Sequence, residues 1–145
     1  MAKIERKVRF SAPVSEVFAY IADFQTLEEY NPSLGQVRSL TPGSPGEGSR
    51  YELTLSMLGV KFRALLTIAE FKENELIVTH LDAFIPAKEW RVFSPAGEET
   101  DFLFIIEFKS EWPLIGTWLD NFLVKLFAVP QADLEIKHLK KRFDR

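Results

Sequence analysis

A pattern in which every second residue is apolar is clearest at residues 51–57. Alternation with period two predicts a strand that has one buried face. Residues 4–10 show the pattern as well, and further strands are predicted between residues 35 and 108, at 60–68, 76–81, 86–93 and 101–108. The segments between them are rich in glycine, proline and asparagine, which favour turns. Successive strands joined by short turns indicate an antiparallel meander.

Helical spacing replaces this alternation directly after the first strand. Pro13 is expected in the first helical turn, where its missing N–H costs nothing, and apolar residues follow at Val14, Val17 and Ile21. Residues 23–30 predict a second short helix. We expect it to end at Asn31 because a residue that precedes proline disfavours the helical conformation.

A long helix is predicted from Pro113 onward. Placed at about 100° per residue, the apolar side chains of residues 114–127 cover roughly 220° of the helix circumference. A helix that lies on one sheet needs an apolar stripe of about 100° or somewhat more. The excess surface would therefore close a cavity or meet a protein partner. Pro130 is predicted to kink or interrupt the helix, and a narrow apolar stripe follows it.

Composition narrows the classes of chemistry that the chain can perform. The sequence has 145 residues, which predicts one domain over residues 1–145, and its net charge of −3 argues against a nucleic-acid partner. It has no cysteine, which excludes thiolate chemistry, and its two histidines, His80 and His138, lack the spacing of metal ligands. No phosphate-binding loop or nucleophile elbow is present. We therefore expect neither a metal nor a cofactor.

The sequences near the two termini bear on the cellular location of the protein. Residues 1–10 lack the continuous apolar stretch of a secretory signal, and no run in the chain reaches the length of a transmembrane segment. We therefore expect a cytoplasmic protein. The basic end at residues 137–145 could make a weak peripheral contact with membrane phosphates. The favoured interpretation is a solvated helix end whose cations complement the helix dipole.

Several motifs, taken in order, resemble those of the START-like superfamily (SRPBCC), in particular its polyketide cyclase/dehydrase and lipid-transport proteins and the coenzyme Q-binding-protein-like members. Residues 12–18 read Ala-Pro-Val-Ser-Glu-Val-Phe, and Asp23-Phe24, Leu27 and Tyr30-Asn31-Pro32 follow. Members of the family usually carry tryptophan where this chain has Tyr30. Residues 46–51 resemble the family's Gly-x-Gly turn into its third strand, and residues 134–144 resemble its last helical turns.

The resemblance implies an α+β helix-grip fold in the order β-α-α-β6-α. A curved seven-stranded antiparallel sheet would surround a long C-terminal helix. It also implies a cavity between sheet and helix that binds a hydrophobic small molecule such as a lipid, an isoprenoid quinone or a polyketide-like molecule. This chain departs from the family pattern at Pro130, inside a helix that is normally continuous, and at the turn around Gly97.

Aromatic residues are abundant, with 13 phenylalanines, three tryptophans and three tyrosines. Several of them fall on faces that we predict to point at one another, and apolar pockets with few polar groups suit ligand binding. The predicted ligand-binding residues are Tyr30, Tyr51, Leu53, Leu55, Met57, Phe62, Leu66, Trp90, Phe102, Phe104, Trp118, Phe122 and Leu126.

The sequence leaves two other functions open. A cyclase/dehydrase enzyme would need one or two acid–base groups in the cavity, for which the candidates are Glu107, Tyr51 and His80. The outward orientation is favoured for Glu107 because residues 102, 104, 106 and 108 form the more apolar face of its strand. A protein-interaction module would instead use the excess apolar surface to meet another protein or a second copy, so both monomer and homodimer are considered.

Overall fold

The computed structural model describes residues 2–57, 59–83, 86–108, 122 and 124–144. The predicted seven-stranded antiparallel sheet is confirmed, with the strands in the order β1-β7-β6-β5-β4-β3-β2. Strands β1 and β2 therefore form the two edges, and the rest of the sheet is a meander. The strands are β1 (Ala2–Phe10), β2 (Leu34–Ser39), β3 (Arg50–Met57), β4 (Val60–Lys72), β5 (Leu76–Asp82), β6 (Ala87–Ala96) and β7 (Glu99–Phe108).

The two short helices lie between β1 and β2, as predicted. Helix α1 (Val14–Ala22) begins directly after Pro13, which is the N-cap residue and not part of the first turn. A single 3₁₀ turn (Phe24–Thr26) connects it to α2 (Leu27–Tyr30). The Asp23 carboxylate accepts a hydrogen bond from the amide of Gln25 and so caps the 3₁₀ turn.

At Pro130, where a kink or interruption is predicted, the helical hydrogen bonding changes from π to α while the helix continues. Helix α3 (Val129–Phe143) carries this proline in its first turn, and a π-helical segment (Val124–Ala128) precedes it. Proline has no amide hydrogen, and its ring collides with the carbonyl four residues earlier, so regular α-helical bonding cannot continue through it. Most of the predicted apolar arc, residues 114–121 and 123, lies outside the described residues.

One face of the sheet, the inner face, packs against the helices. At the end where β1 finishes, Phe10 and Phe102 have ring centroids 5.4 Å apart, and Phe93 lies 5.2 Å from Phe102. Phe10 also contacts Phe143 of α3 at 5.3 Å. We call this the aromatic end. The opposite end, toward the connection between β3 and β4, is called the hairpin end.

Helix α3 runs in the same direction as β1, from the middle of that strand toward the aromatic end. Arg6 Nε lies 2.6 Å from the carboxylate of Asp133, whereas Lys140 Nζ donates to the carbonyl of Arg9 at 3.2 Å. Asp144 then accepts from the amide of Ser11 at 3.1 Å. The first turn of α3 therefore faces the hairpin end of the sheet.

Candidate functional site

A cluster of polar side chains lies buried between the centre of the inner face and α3. Arg91 donates hydrogen bonds to Glu89 at 2.9 Å and to Glu135 at 3.2 Å. The three charged side chains therefore form an ion-pair network with Arg91 at its centre. Asn31 Nδ2 donates to the second oxygen of Glu135 at 3.0 Å, and the Thr79 hydroxyl lies 3.4 Å from Glu89. We refer to these five residues as the polar cluster.

The register of β6 explains how charged residues reach the inner face. Glu89 and Arg91 lie on the same face of β6 as Ala87 and Phe93, which are both buried in the core. Glu135 comes from the apolar stripe of α3, where Ala132 and Leu139 are also buried. Three charges are therefore fixed among apolar neighbours by two elements that are distant in sequence.

Sequence reasoning missed this cluster because it assigned the other face of β6 to the interior. Trp90 lies on the outer face, opposite Val78 and Ile105, so the prediction that it points into the interior with Phe102 and Phe104 is wrong. Lys88 Nζ lies 4.8 Å from the centre of the Trp90 ring, and this cation–π contact covers the indole on the outside.

Two sequence signals could have revealed the cluster. Both faces of β6 carry charged residues, so charge alone does not show which face is buried. The face with Glu89 and Arg91 also carries Phe93, a large apolar residue that is buried at the aromatic end. Glu135 stands at helical spacing between Ala132 and Leu139, inside an otherwise apolar stripe. A charged residue in such a stripe requires a buried partner of opposite charge.

The cluster holds one cation against two carboxylates. Burial by itself lowers the pKa of Arg91, but the two carboxylates outweigh burial and raise it above its ordinary value. Burial also raises the pKa of Glu135, since Arg91 offsets only part of the desolvation of that carboxylate. The guanidinium carbon of Arg91 lies 4.7 Å from the centre of the Phe104 ring, which further excludes water.

Three buried polar side-chain atoms lack a hydrogen-bond partner within the described part of the chain. They are the Tyr30 hydroxyl, Nε of Arg91 and Oε1 of Gln131. Burial raises the pKa of Tyr30, so this hydroxyl is protonated at neutral pH.

The raised pKa of Glu135 makes a pH-dependent prediction. The Glu135 carboxyl holds its proton more tightly in the folded state than in the unfolded state. The protein therefore loses stability as the pH rises from about 4.5 through the folded pKa of Glu135. We expect the free energy of unfolding of the wild type, relative to Glu135→Gln, to fall by about 1.4 kcal/mol per pH unit across that interval. Above the folded pKa the difference becomes constant. Urea unfolding between pH 4 and 8 measures it.

A matched control for this prediction is Glu107→Gln, which removes an outer-face carboxylate. A difference between the wild type and Glu135→Gln that does not change over the whole pH range would contradict the assignment.

The three candidate acid–base residues lie away from the polar cluster. Glu107 is on the outer face, the orientation that the sequence favoured. It lies opposite Lys3 and Lys88 on the neighbouring strands. His80 is exposed on the same outer face. Tyr51 is on the inner face, but its ring packs 5.0 Å from that of Phe24, and burial raises its pKa.

The predicted ligand-binding residues fall into groups that differ in burial. Core positions are occupied by Tyr30, Tyr51, Leu53, Leu66, Phe102 and Phe104, each at most 4% exposed. Leu55 and Phe62 face each other across β3 and β4 on the inner face and are half-buried. Phe122 and Leu126 are 49% and 53% exposed. Trp118 and the side chain of Met57 lie outside the described residues.

A separate concavity of about 470 Å³ lies on the outer side of the sheet. Its lining includes Arg9 and Asp101, whose side chains form an ion pair at 2.7 Å, and the apolar side chains of Val92 and Leu103. None of the predicted acid–base residues and no part of the polar cluster lines it.

The described residues also bear on metal binding and on membrane insertion. Over the ranges that the structure describes, no group of three His, Cys, Asp or Glu residues is placed to hold a metal ion. Among the helices described, none combines the length and apolar character that a membrane crossing requires.

Comparison with known proteins places the chain in a family. The model of the polyketide cyclase/dehydrase and lipid-transport family matches residues 1–144. No curated protein matches the sequence. Solved structures of similar fold include a protein from Thermus thermophilus, with a TM-score of 0.79 and 19% identity over 98% of this chain and 97% of that one.

Two other solved structures have the same fold. A START superfamily protein from Mycobacterium smegmatis has a TM-score of 0.78 and 18% identity over 98% of this chain and 97% of its own. The Zhui aromatase/cyclase from a Streptomyces species has a TM-score of 0.71 and 14% identity over 97% and 94%. The sequence match over residues 1–144 shows that this chain belongs to the polyketide cyclase/dehydrase and lipid-transport family.

Proposed function

We propose that this protein binds a hydrophobic small molecule, such as a lipid, an isoprenoid quinone or a polyketide-like molecule, at the hairpin end of the inner face. The observation that carries the proposal is a change in burial along that face. Phe10 and Phe102 at the aromatic end are 0% and 1% exposed, whereas Leu55 and Phe62 at the hairpin end are only half-buried.

Three apolar side chains form a row across the inner face at the hairpin end. Phe62 lies beside Leu55 in register, and Leu34 of β2 continues the same row of the sheet. Covering apolar surface yields about 25 cal/mol per Å² removed from water, so an apolar ligand gains free energy by lying on this row. Membership of a family that includes lipid-transport proteins supports the same proposal.

Binding of N-phenyl-1-naphthylamine, a neutral apolar dye whose fluorescence rises in apolar surroundings, tests the proposal. We expect the wild type to bind it and Phe62→Asp to raise its Kd at least about tenfold, because a carboxylate on the half-buried row would have to be desolvated. Fluorescence titration gives both Kd values, and circular dichroism checks that the variant is folded.

Leu40→Asp is the matched control, since Leu40 is an apolar side chain that is 44% exposed in the connection after β2. This variant is expected to keep the wild-type Kd. A wild type that fails to bind the dye, or a Phe62→Asp variant that binds it equally well, would overturn the proposed function.

The polar cluster favours a second candidate function, a cyclase/dehydrase enzyme. Such an enzyme needs convergent polar groups beside its substrate, and burial raises the pKa of Glu135, which favours the protonated form that a general acid requires. Incubation with a poly-β-ketone, followed by absorbance of an aromatic product, distinguishes the two functions. An enzyme forms the product faster than a solution without protein does, whereas a binding protein leaves the spontaneous rate of cyclisation no faster.

A further inference from the structure

The concavity on the outer face of the sheet belongs neither to the polar cluster nor to the proposed ligand site. The six side chains that form it lie in two adjacent rows, and each row crosses β1, β7 and β6 in register. The first row is Lys7, Leu103 and Val92, and the second is Arg9, Asp101 and Ser94. The strand register therefore brings these side chains together on one surface, which we call the outer concavity.

The floor of the outer concavity is apolar. Leu103 and Val92 lie opposite each other on β7 and β6, and both are half-buried. Trp90 and Ile105, the next pair on the same face of these two strands, continue the apolar surface. Because the described helices pack on the inner face, this floor is open to a ligand from the solvent side.

The rim of the outer concavity carries one uncompensated positive charge. Arg9 and Asp101 neutralise each other through two hydrogen bonds, from Nε at 2.7 Å and from Nη2 at 3.1 Å. Lys7 is exposed and, among the residues that the structure describes, has no hydrogen bond or ion pair. Glu5, two residues earlier on the same strand face, lies opposite Ile105 and does not line the concavity. The lining therefore complements a single negative charge.

The size of the outer concavity favours a small molecule over a second copy of the chain. Its volume of about 470 Å³ falls in the range of roughly 300–1,000 Å³ that small-molecule sites have. The two rows span only about 10 Å by 7 Å of the sheet, whereas each partner in a stable protein interface contributes about 800 Å². An isologous dimer would also bring two uncompensated Lys7 side chains into one interface.

We propose that the outer concavity is a second ligand site, which takes an amphipathic organic anion with an apolar ring system and one sulfonate or carboxylate group. The ring system covers Leu103 and Val92, and the anionic group lies beside the ammonium of Lys7. This site is on the opposite face of the sheet from the site proposed for a neutral apolar ligand. The inference therefore does not rest on the proposed function.

Fluorescence titration with 8-anilino-1-naphthalenesulfonate tests the second site. This dye has the skeleton of N-phenyl-1-naphthylamine with one added sulfonate, so the two dyes differ in charge and share an apolar body. We expect Lys7→Gln to raise the Kd of the sulfonate dye about threefold at low salt, as the loss of an exposed ion pair would. Leu103→Asn should raise it about fivefold, because part of the apolar floor is lost. Neither variant should change the Kd of N-phenyl-1-naphthylamine.

Two matched variants on the same outer face serve as controls. Lys3→Gln removes an exposed lysine of β1 that lies opposite Glu107. Leu65→Asn alters a half-buried leucine of β4 that lies between Glu52 and Asp82. Neither residue lines the outer concavity, so both variants should bind the sulfonate dye as the wild type does. Circular dichroism checks that all four variants are folded.

Phe62→Asp separates the two sites, since it should retain binding of the sulfonate dye while it loses affinity for N-phenyl-1-naphthylamine. Loss of both dyes in Phe62→Asp, or an unchanged affinity for the sulfonate dye in Leu103→Asn, would overturn the second site. A dimer in sedimentation that Leu103→Asn dissociates would also overturn it, because a second copy would then cover the floor. Failure of the wild type to bind the sulfonate dye would overturn the second site alone, whereas failure to bind the neutral dye would overturn only the proposed function.

Discussion

Replacement of Arg91 by leucine is expected to lower the free energy of unfolding by about 3–5 kcal/mol at pH 7. Arg91 is 2% exposed and is the cation that both Glu89 and Glu135 contact. Its removal leaves two carboxylates buried without a counter-charge, and leucine cannot donate to either. For a domain of this size the loss corresponds to a fall in Tm of about 2–4 °C per kcal/mol.

Urea unfolding of the wild type and variant measures the effect, and Arg9→Leu is its control. Arg9 pairs with Asp101 at 2.7 Å, but its side chain is 57% exposed, so water replaces the lost partner and the change should be much smaller. Adding Glu135→Leu to Arg91→Leu should recover part of the loss, because one uncompensated carboxylate is removed with its partner. Equal effects of Arg91→Leu and Arg9→Leu would contradict the buried ion pair.

The strands were predictable because their alternation is local. Residues 51–57 alternate cleanly, and β3 covers Arg50–Met57. The short helices likewise follow from local signals, since Pro13 precedes α1 and Asn31 follows α2. A disturbance of the helix at Pro130 was predictable for the same reason, because it follows from the covalent structure of proline and needs no tertiary contact.

The polar cluster could not be predicted in this way because its partners are distant in sequence. Arg91 and Glu135 are separated by 44 positions. On β6 both faces carry charge, so the apolar character of Trp90 and Val92 favoured the wrong face. What decides the orientation is the ion pair with Glu135 and the packing of Phe93 in the aromatic end, and both are tertiary contacts.

The burial of individual side chains along the inner face could not be predicted from the sequence, for a related reason. Phe62 and Phe102 both belong to apolar faces of predicted strands, and sequence reasoning predicted both as ligand-binding residues. Their difference depends on what packs over each, which the strand pattern does not encode. Phe102 is 1% exposed and contacts the rings of three neighbouring phenylalanines of the sheet, whereas Phe62 is half-buried at the hairpin end.

That difference leads to the second large prediction. Phe102→Ala is expected to lower the free energy of unfolding by about 3–5 kcal/mol, because it leaves a cavity in a packed core. The Phe102 ring lies 5.4 Å from Phe10 and 5.2 Å from Phe93, and it stacks on Phe104 at 6.3 Å with an interplanar angle of 12°. Such aromatic contacts add to the stability that burial of the ring provides.

Ligand affinity should respond in the opposite order. In conditions where Phe102→Ala remains folded, we expect its Kd for N-phenyl-1-naphthylamine to stay within about threefold of the wild type, whereas Phe62→Asp weakens binding at least about tenfold. Urea unfolding and dye titration on both variants give the comparison. If Phe102→Ala instead weakens dye binding more than Phe62→Asp does, the ligand site lies at the aromatic end. The change in burial along the inner face would then say nothing about where the ligand binds.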